Sequence, residues 1–89
     1  MGKSESEYEL MLRKTERKLD ETNRAKIFGQ RLCDAIKASG MKPREVEKAT
    51  LIDATTMYRY MKGQVSPKAY NVYKLSKVLK SSFEDLYPL

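Results

Sequence analysis

The sequence predicts an all-α protein from three observations. Apolar residues recur at spacings of three and four, as in Phe28, Leu32 and Ile36, which is the spacing of one face of a helix. Residues typical of helix ends, such as Gly40 and Pro43, separate these stretches. No segment shows the alternation of apolar and polar residues that indicates a β-strand. We therefore expect helices only, each with one buried face.

The N-terminal part of the chain predicts a charged, weakly amphipathic helix. Residues 7–26 contain no Gly or Pro, and a thin stripe recurs at helical spacing: Tyr8, Leu12, Thr15, Leu19 and Thr22. A separate helix is expected over residues 25–39, ended by Gly40 as a C-cap. We thus predict an extension over residues 1–24 and a domain over residues 25–89.

Four further helices are predicted in the domain. Pro43 suits the first turn of a short helix that ends near Thr50. Asp53 is a good N-cap for the next helix, over about 54–62, which Gly63 closes. The last two helices are an amphipathic one after Ser66-Pro67, with Val72, Leu75 and Leu79 on its apolar face, and a short one that begins at Ser82 and carries Phe83 and Leu86.

The charge is unevenly distributed. The 89 residues carry a formal net charge of +6. Residues 1–24 hold as many basic as acidic groups, so the whole positive charge belongs to residues 25–89. A basic domain favours a polyanionic partner, although charge alone also fits a merely soluble surface.

The residue inventory argues against catalysis, cofactors and metals. The chain has no His, and its single Cys33 has neither a partner base nor companions with which to hold zinc. No glycine-rich phosphate loop is present. One cysteine, no apolar leader and no apolar run that could span a bilayer together predict a cytoplasmic protein without a membrane partner.

Between Ile27 and Leu86, the order of helices, glycines and Pro67 resembles the Cro and phage-repressor (XRE) family of helix-turn-helix DNA-binding domains. Phe28-Gly29 and Leu32 look like the first helix of that family, and Gly40-Met41-Lys42 like the entry to its second. The resemblance implies a five-helix, phage-repressor-like domain, here preceded by an extra N-terminal helix.

Four positions depart from the family pattern. The family usually has Gly where Leu51 stands and Ala where Glu47 stands, so we expect a differently built, slightly wider turn here. Many members also carry a buried Arg–Glu pair where this chain has Ile36 and Met61. Replacing both partners by apolar groups is compatible with the same fold.

The resemblance implies a sequence-specific regulator of transcription, most simply a repressor, that binds double-stranded DNA. It assigns base contacts to the helix at about 54–62, through Ala54, Thr55, Tyr58 and Arg59. It assigns phosphate contacts to its surroundings, through Lys42, Arg44, Lys62, Gln64, Ser66 and Lys68.

Family members usually bind palindromic operators as homodimers. Two dimer seams are open: the apolar C-terminus formed by Phe83, Leu86, Tyr87, Pro88 and Leu89, or the first helix with Tyr8, Leu12 and Leu19. The alternative function is an antitoxin or accessory protein that holds a partner protein through residues 7–26.

Overall fold

The computed structural model describes the backbone of residues 3–88 and the side chains of residues 20–88. Within that range the protein is all-helical, with no β-strand, as predicted. The five helices are α1 (Lys3–Ser39), α2 (Pro43–Thr50), α3 (Ala54–Met61), α4 (Ala69–Leu79) and α5 (Phe83–Leu86). None of these described helices is both long and apolar enough to cross a membrane.

α1 is one continuous helix, so the prediction of an extra, separate N-terminal helix was wrong. The helix passes the expected boundary at residues 24 and 25 without a break. The helix is continuous because no Gly or Pro lies between Lys3 and Phe28 to interrupt its backbone hydrogen bonds. Thirty-seven residues make a helix about 55 Å long, which accounts for the 59 Å longest dimension of the molecule. The proposed seam at Tyr8, Leu12 and Leu19 lies outside the described side chains.

The core lies between the C-terminal half of α1 and the four shorter helices. Each helix contributes fully buried side chains, and the largest of these are Phe28, Leu32, Met57, Tyr60, Leu75 and Leu86. Burying a side chain of this size stabilises the fold by about 1.5–3 kcal/mol. α1 contacts α3, α4 and α5, whereas α2 packs on α3 and α4. Ile36 is in this core and Met61 packs against it, so apolar packing accommodates these two residues, as expected.

The turn between α2 and α3 is built around a leucine in the left-handed conformation. Leu51 has φ 59° and ψ 25°, and its N–H donates to the carbonyl of Glu47 at 2.8 Å. The wider turn expected for a residue other than Gly does not form, because Leu51 takes the conformation that Gly would take. Its side chain is 86% exposed, so no burial within the described chain offsets the roughly 1–2 kcal/mol that this conformation costs an L-residue.

The C-terminal end of α3 lies directly on the backbone of α1. Gly63 has φ 70° and donates to the carbonyl of Tyr60 at 3.1 Å, while Gln64 N–H donates to that of Arg59 at 2.9 Å, which is a Schellman cap. A Cβ at Gly29 of α1 would stand 2.7 Å from the carbonyl oxygen of Tyr60 and 3.0 Å from the nitrogen of Gly63. Only glycine at position 29 permits this close approach.

The described apolar residues near the C-terminus pack on their own chain, and Leu89 of the proposed seam lies outside the described residues. α5 begins after Ser82, as predicted, and the Ser82 hydroxyl accepts from Asp85 N–H at 3.1 Å. Leu86 and Pro88 are buried. Phe83 and Tyr87 pack against the core, with their ring centroids 5.1 Å apart.

Candidate nucleic-acid interface

α3 has a buried face and an exposed face. Met57 and Tyr60 are 1% and 2% exposed, and they anchor the helix in the core. The opposite side is open to solvent along the whole helix and carries Ala54, Thr55, Tyr58, Arg59 and, at the C-cap, Lys62. All four residues assigned to base contacts therefore share one surface.

Asp53 fixes the start of α3. Its carboxylate accepts from the Thr56 hydroxyl at 2.7 Å and from the Thr56 N–H at 3.1 Å. These two hydrogen bonds, the hydroxyl first, lower the pKa of Asp53 below its ordinary value because they favour the charged carboxylate. The first turn of the helix, with Ala54 and Thr55, is thus held in place by a cap that is ionised at neutral pH.

The basic groups around α3 are not neutralised by any side chain that the structure describes. Among the described side chains, no ion pair joins a carboxylate to any of the basic residues assigned to DNA: Lys42, Arg44, Arg59, Lys62 and Lys68. Lys62 instead lies over the ring of Tyr58, with its Nζ 5.6 Å from the ring centroid. An unpaired cation on the surface is available to an external anion without first breaking a bond.

Lys42 and Arg44 are exposed at the N-terminal end of α2. Lys42 N–H donates to the Glu45 carboxylate at 2.9 Å, which stabilises this end of the helix. Lys42 and Arg44 precede Leu51 by nine and seven residues, which is roughly 10–13 Å along the helix axis. These two residues therefore lie at the end of α2 that is farther along the chain from α3.

The loop after α3 is positioned by the hydroxyl of Tyr60. This oxygen accepts from the Asn71 amide at 2.9 Å and from the Lys68 N–H at 3.4 Å. The Tyr60 ring is packed edge-on against Phe28, with centroids 5.2 Å apart. As a result Arg59, Ser66 and Lys68 line one shallow concave surface beside the start of α3. Sequence reasoning used Tyr60 only as an apolar residue, although a buried tyrosine needs a polar partner for its hydroxyl.

Ser66 also borders α1, together with Gln64. The Ser66 hydroxyl donates to the carbonyl of Glu21 at 3.1 Å. A hydroxyl has one proton, so Ser66 has to give up this bond before it donates to a phosphate. Gln64 is exposed beside it.

Comparison with known proteins gives this chain no family. No protein-family model matches it. No curated protein and no solved structure matches it significantly either.

Proposed function

We propose that this protein is a sequence-specific regulator of transcription, a repressor, that inserts α3 into the major groove of double-stranded DNA. The observation that carries the proposal is the division of α3 between an anchored face, with Met57 and Tyr60, and an open, partly basic face. The major groove is about 12 Å wide and admits one α-helix. The resemblance to the Cro and phage-repressor family supports α2 and α3 as a helix-turn-helix.

The open face offers chemistry for reading bases. The guanidinium of Arg59 binds the two acceptors of a guanine edge. Thr55 offers a hydroxyl and a methyl group, and Ala54 matches a thymine methyl. Tyr58 lies beside them, 57% exposed, with its ring flanked by the ammonium of Lys62.

Phosphates are bound around this face. Lys42 and Arg44 reach one strand from the start of α2, and Lys62, Gln64, Ser66 and Lys68 reach the backbone beside α3. Each phosphate that these residues neutralise releases counterions, so affinity falls steeply with salt. In this proposal the protein acts in the cytoplasm on a palindromic operator.

A homodimer suits such an operator, because one small domain buries too little surface for tight, specific binding. The C-terminal seam is the less favourable of the two considered. Leu86 and Pro88 are already buried within the chain, and Phe83 and Tyr87 are half-buried against the core. Among the described residues of this seam, little apolar surface is left for a partner.

The test is selection from a pool of random duplexes, followed by fluorescence anisotropy at two salt concentrations. We expect a palindromic sequence to be bound at least about a thousandfold more tightly than bulk DNA. We also expect affinity to fall as a power of the salt concentration. Equal and weak binding of all duplexes would contradict the proposal and favour a function carried by a protein partner of α1.

A further inference from the structure

The outer side of α4 is an exposed surface with no role in the proposed DNA contacts. It consists of Tyr70, Tyr73, Lys74 and Lys77, at positions i, i+3, i+4 and i+7 of one helix face, and is called the Tyr–Lys face below. The two tyrosines are 71% and 51% exposed. The opposite side of α4 is buried in the core through Val72, Leu75 and Leu79.

A lysine ammonium group lies over the ring of each tyrosine of the Tyr–Lys face. Lys74 Nζ is 4.9 Å from the ring centroid of Tyr70, and Lys77 Nζ is 5.3 Å from that of Tyr73. α4 contains no acidic residue, and neither lysine is in an ion pair within the described part of the chain. The face therefore presents two exposed aromatic rings and two positive charges that no described carboxylate neutralises.

This chemistry fits an acidic and partly apolar protein segment. Exposed tyrosine rings are characteristic of protein interfaces, where they supply contact area at low entropic cost. Phosphates of duplex DNA need cations and small hydroxyls but no aromatic surface. Two copies of the face do not suit each other, since their lysines would repel.

The chain itself contains a segment of this kind. Residues 4–12 carry Glu5, Glu7 and Glu9 without a basic residue, together with Tyr8 and Leu12. Positions 5, 9 and 12 stand at i, i+4 and i+7, the register of one helix face, and α1 is helical from Lys3 onward. The segment is about 13 Å long as a helix. The Tyr–Lys face spans about 10 Å along α4, so the two match in length.

The segment cannot fold back onto the α4 of its own chain. α1 is an uninterrupted helix. The carbonyl of Glu21 accepts a hydrogen bond from Ser66 in the loop before α4, and Glu5 lies roughly 24 Å farther along the helix axis. The segment can reach this face only on another molecule.

We infer that this protein dimerises reciprocally, the acidic segment at residues 4–12 of each copy binding the Tyr–Lys face of the other. The inference rests on the proposed function only in the role given to the dimer, which is to bind a palindromic operator. The interface itself is a property of the free protein. Each dimer then has two identical contacts, and in each of them the segment of one copy lies on the face of the other. Both contacts are salt-sensitive because they join opposite charges.

Charge reversal tests this arrangement in the full-length protein without DNA. The variants are Lys74→Glu with Lys77→Glu on the face, and Glu5→Lys with Glu9→Lys on the segment. We expect the wild type to sediment as a concentration-dependent dimer and each double variant alone to be a monomer. In an equimolar mixture of the two variants, each segment meets a face of opposite charge, so we expect the dimer to return as a heterodimer.

A matched control is Lys37→Glu with Lys48→Glu, which changes the charge equally at exposed lysines outside α4. It should remain a dimer, and circular dichroism should show all variants folded. A wild type that stays monomeric at every concentration would overturn the inference and leave the face to another acidic protein. A dimer that survives either double variant, or a mixture that fails to associate, would overturn it too. So would a Tyr–Lys face variant that weakens DNA binding but leaves the dimer intact, because that would assign the face to DNA.

Discussion

The two ends of α3 are held in different ways. At its C-terminal end the helix contacts the backbone of α1 at Gly29. There the Tyr60 hydroxyl also accepts a hydrogen bond from Asn71 of α4. At its N-terminal end the helix starts from an exposed turn, where Leu51 is strained and Asp53 is a solvent-exposed cap. Backbone contact and a buried hydroxyl thus hold the C-terminal end, whereas Leu51 and Asp53 at the N-terminal end are exposed beside a buried Ile52. Substitutions should therefore be costly at Gly29 and Tyr60 and mild at the exposed Leu51 and Asp53.

The largest effect is expected for Gly29→Ala. The new Cβ would meet two backbone atoms within 3.0 Å, so α3 must move away from α1. Overpacking of this kind destabilises by about 1–3 kcal/mol, which we expect to outweigh the gain in helix propensity from Ala. Urea denaturation measures the change. A stabilised Gly29→Ala protein would show that the close approach is not a constraint.

Tyr60→Phe should cost less, because it keeps the ring and removes only the hydroxyl. The amide of Asn71 and the N–H of Lys68 would lose their acceptor, a loss of about 1–2 kcal/mol. The stability of Tyr60→Phe is compared with that of Tyr58→Phe by denaturation. Because Tyr58 is on the exposed face, the comparison isolates the contribution of the Tyr60 hydroxyl. Equal stability of the two variants would contradict the role assigned to Tyr60.

At the other end of α3, Leu51→Gly should stabilise the protein. Glycine adopts the left-handed conformation without strain, and the exposed leucine side chain contributes little packing. After the entropic cost of glycine, a gain of up to about 1 kcal/mol is expected in thermal or urea unfolding. Lys80→Gly, at the other non-glycine residue with positive φ, is the matched comparison. A loss of stability in Leu51→Gly would mean that the leucine makes a contact of its own.

The smallest effect is expected from the titration of Asp53. Its pKa is lowered in the folded protein, so the charged cap stabilises above the pKa of the unfolded chain, and this contribution is lost as the pH falls through the folded pKa. Wild type should exceed Asp53→Ala in stability at neutral pH, and the difference should shrink in acid. Asp53→Asn, which retains a capping side chain without an ionisable group, should lack this particular pH dependence. If the difference in stability between the wild type and Asp53→Ala stayed constant with pH, the role of the charged Asp53 as a cap would be contradicted.

The sequence predicted the short helices better than the long one. Pro43, Asp53, Gly63 and Ser82 each marked a helix end through a local capping mechanism, and the structure has ends at those places. The join between the predicted N-terminal helices carried no such signal, and α1 runs straight through it. The exposed residues of α3 followed from its buried ones by helical periodicity.

What escaped prediction depended on tertiary contacts. The close approach at Gly29 and the bonds to the Tyr60 hydroxyl join residues far apart in sequence, which periodicity does not detect. The left-handed Leu51 was missed because an L-residue was assumed to avoid that conformation, yet the turn between two packed helices imposes it.

The most direct test of the central claim, that the open face of α3 reads DNA, is the affinity of Arg59→Ala for the selected palindrome and for bulk DNA. Arg31→Ala, which removes an exposed arginine on α1, is the matched control. We expect Arg59→Ala to lose about 1–3 kcal/mol of binding free energy on the palindrome and to relax the preference at one base pair, while Arg31→Ala leaves that preference unchanged. Equal losses for the two variants, or a loss by Arg59→Ala that is the same on every sequence, would contradict base reading by α3.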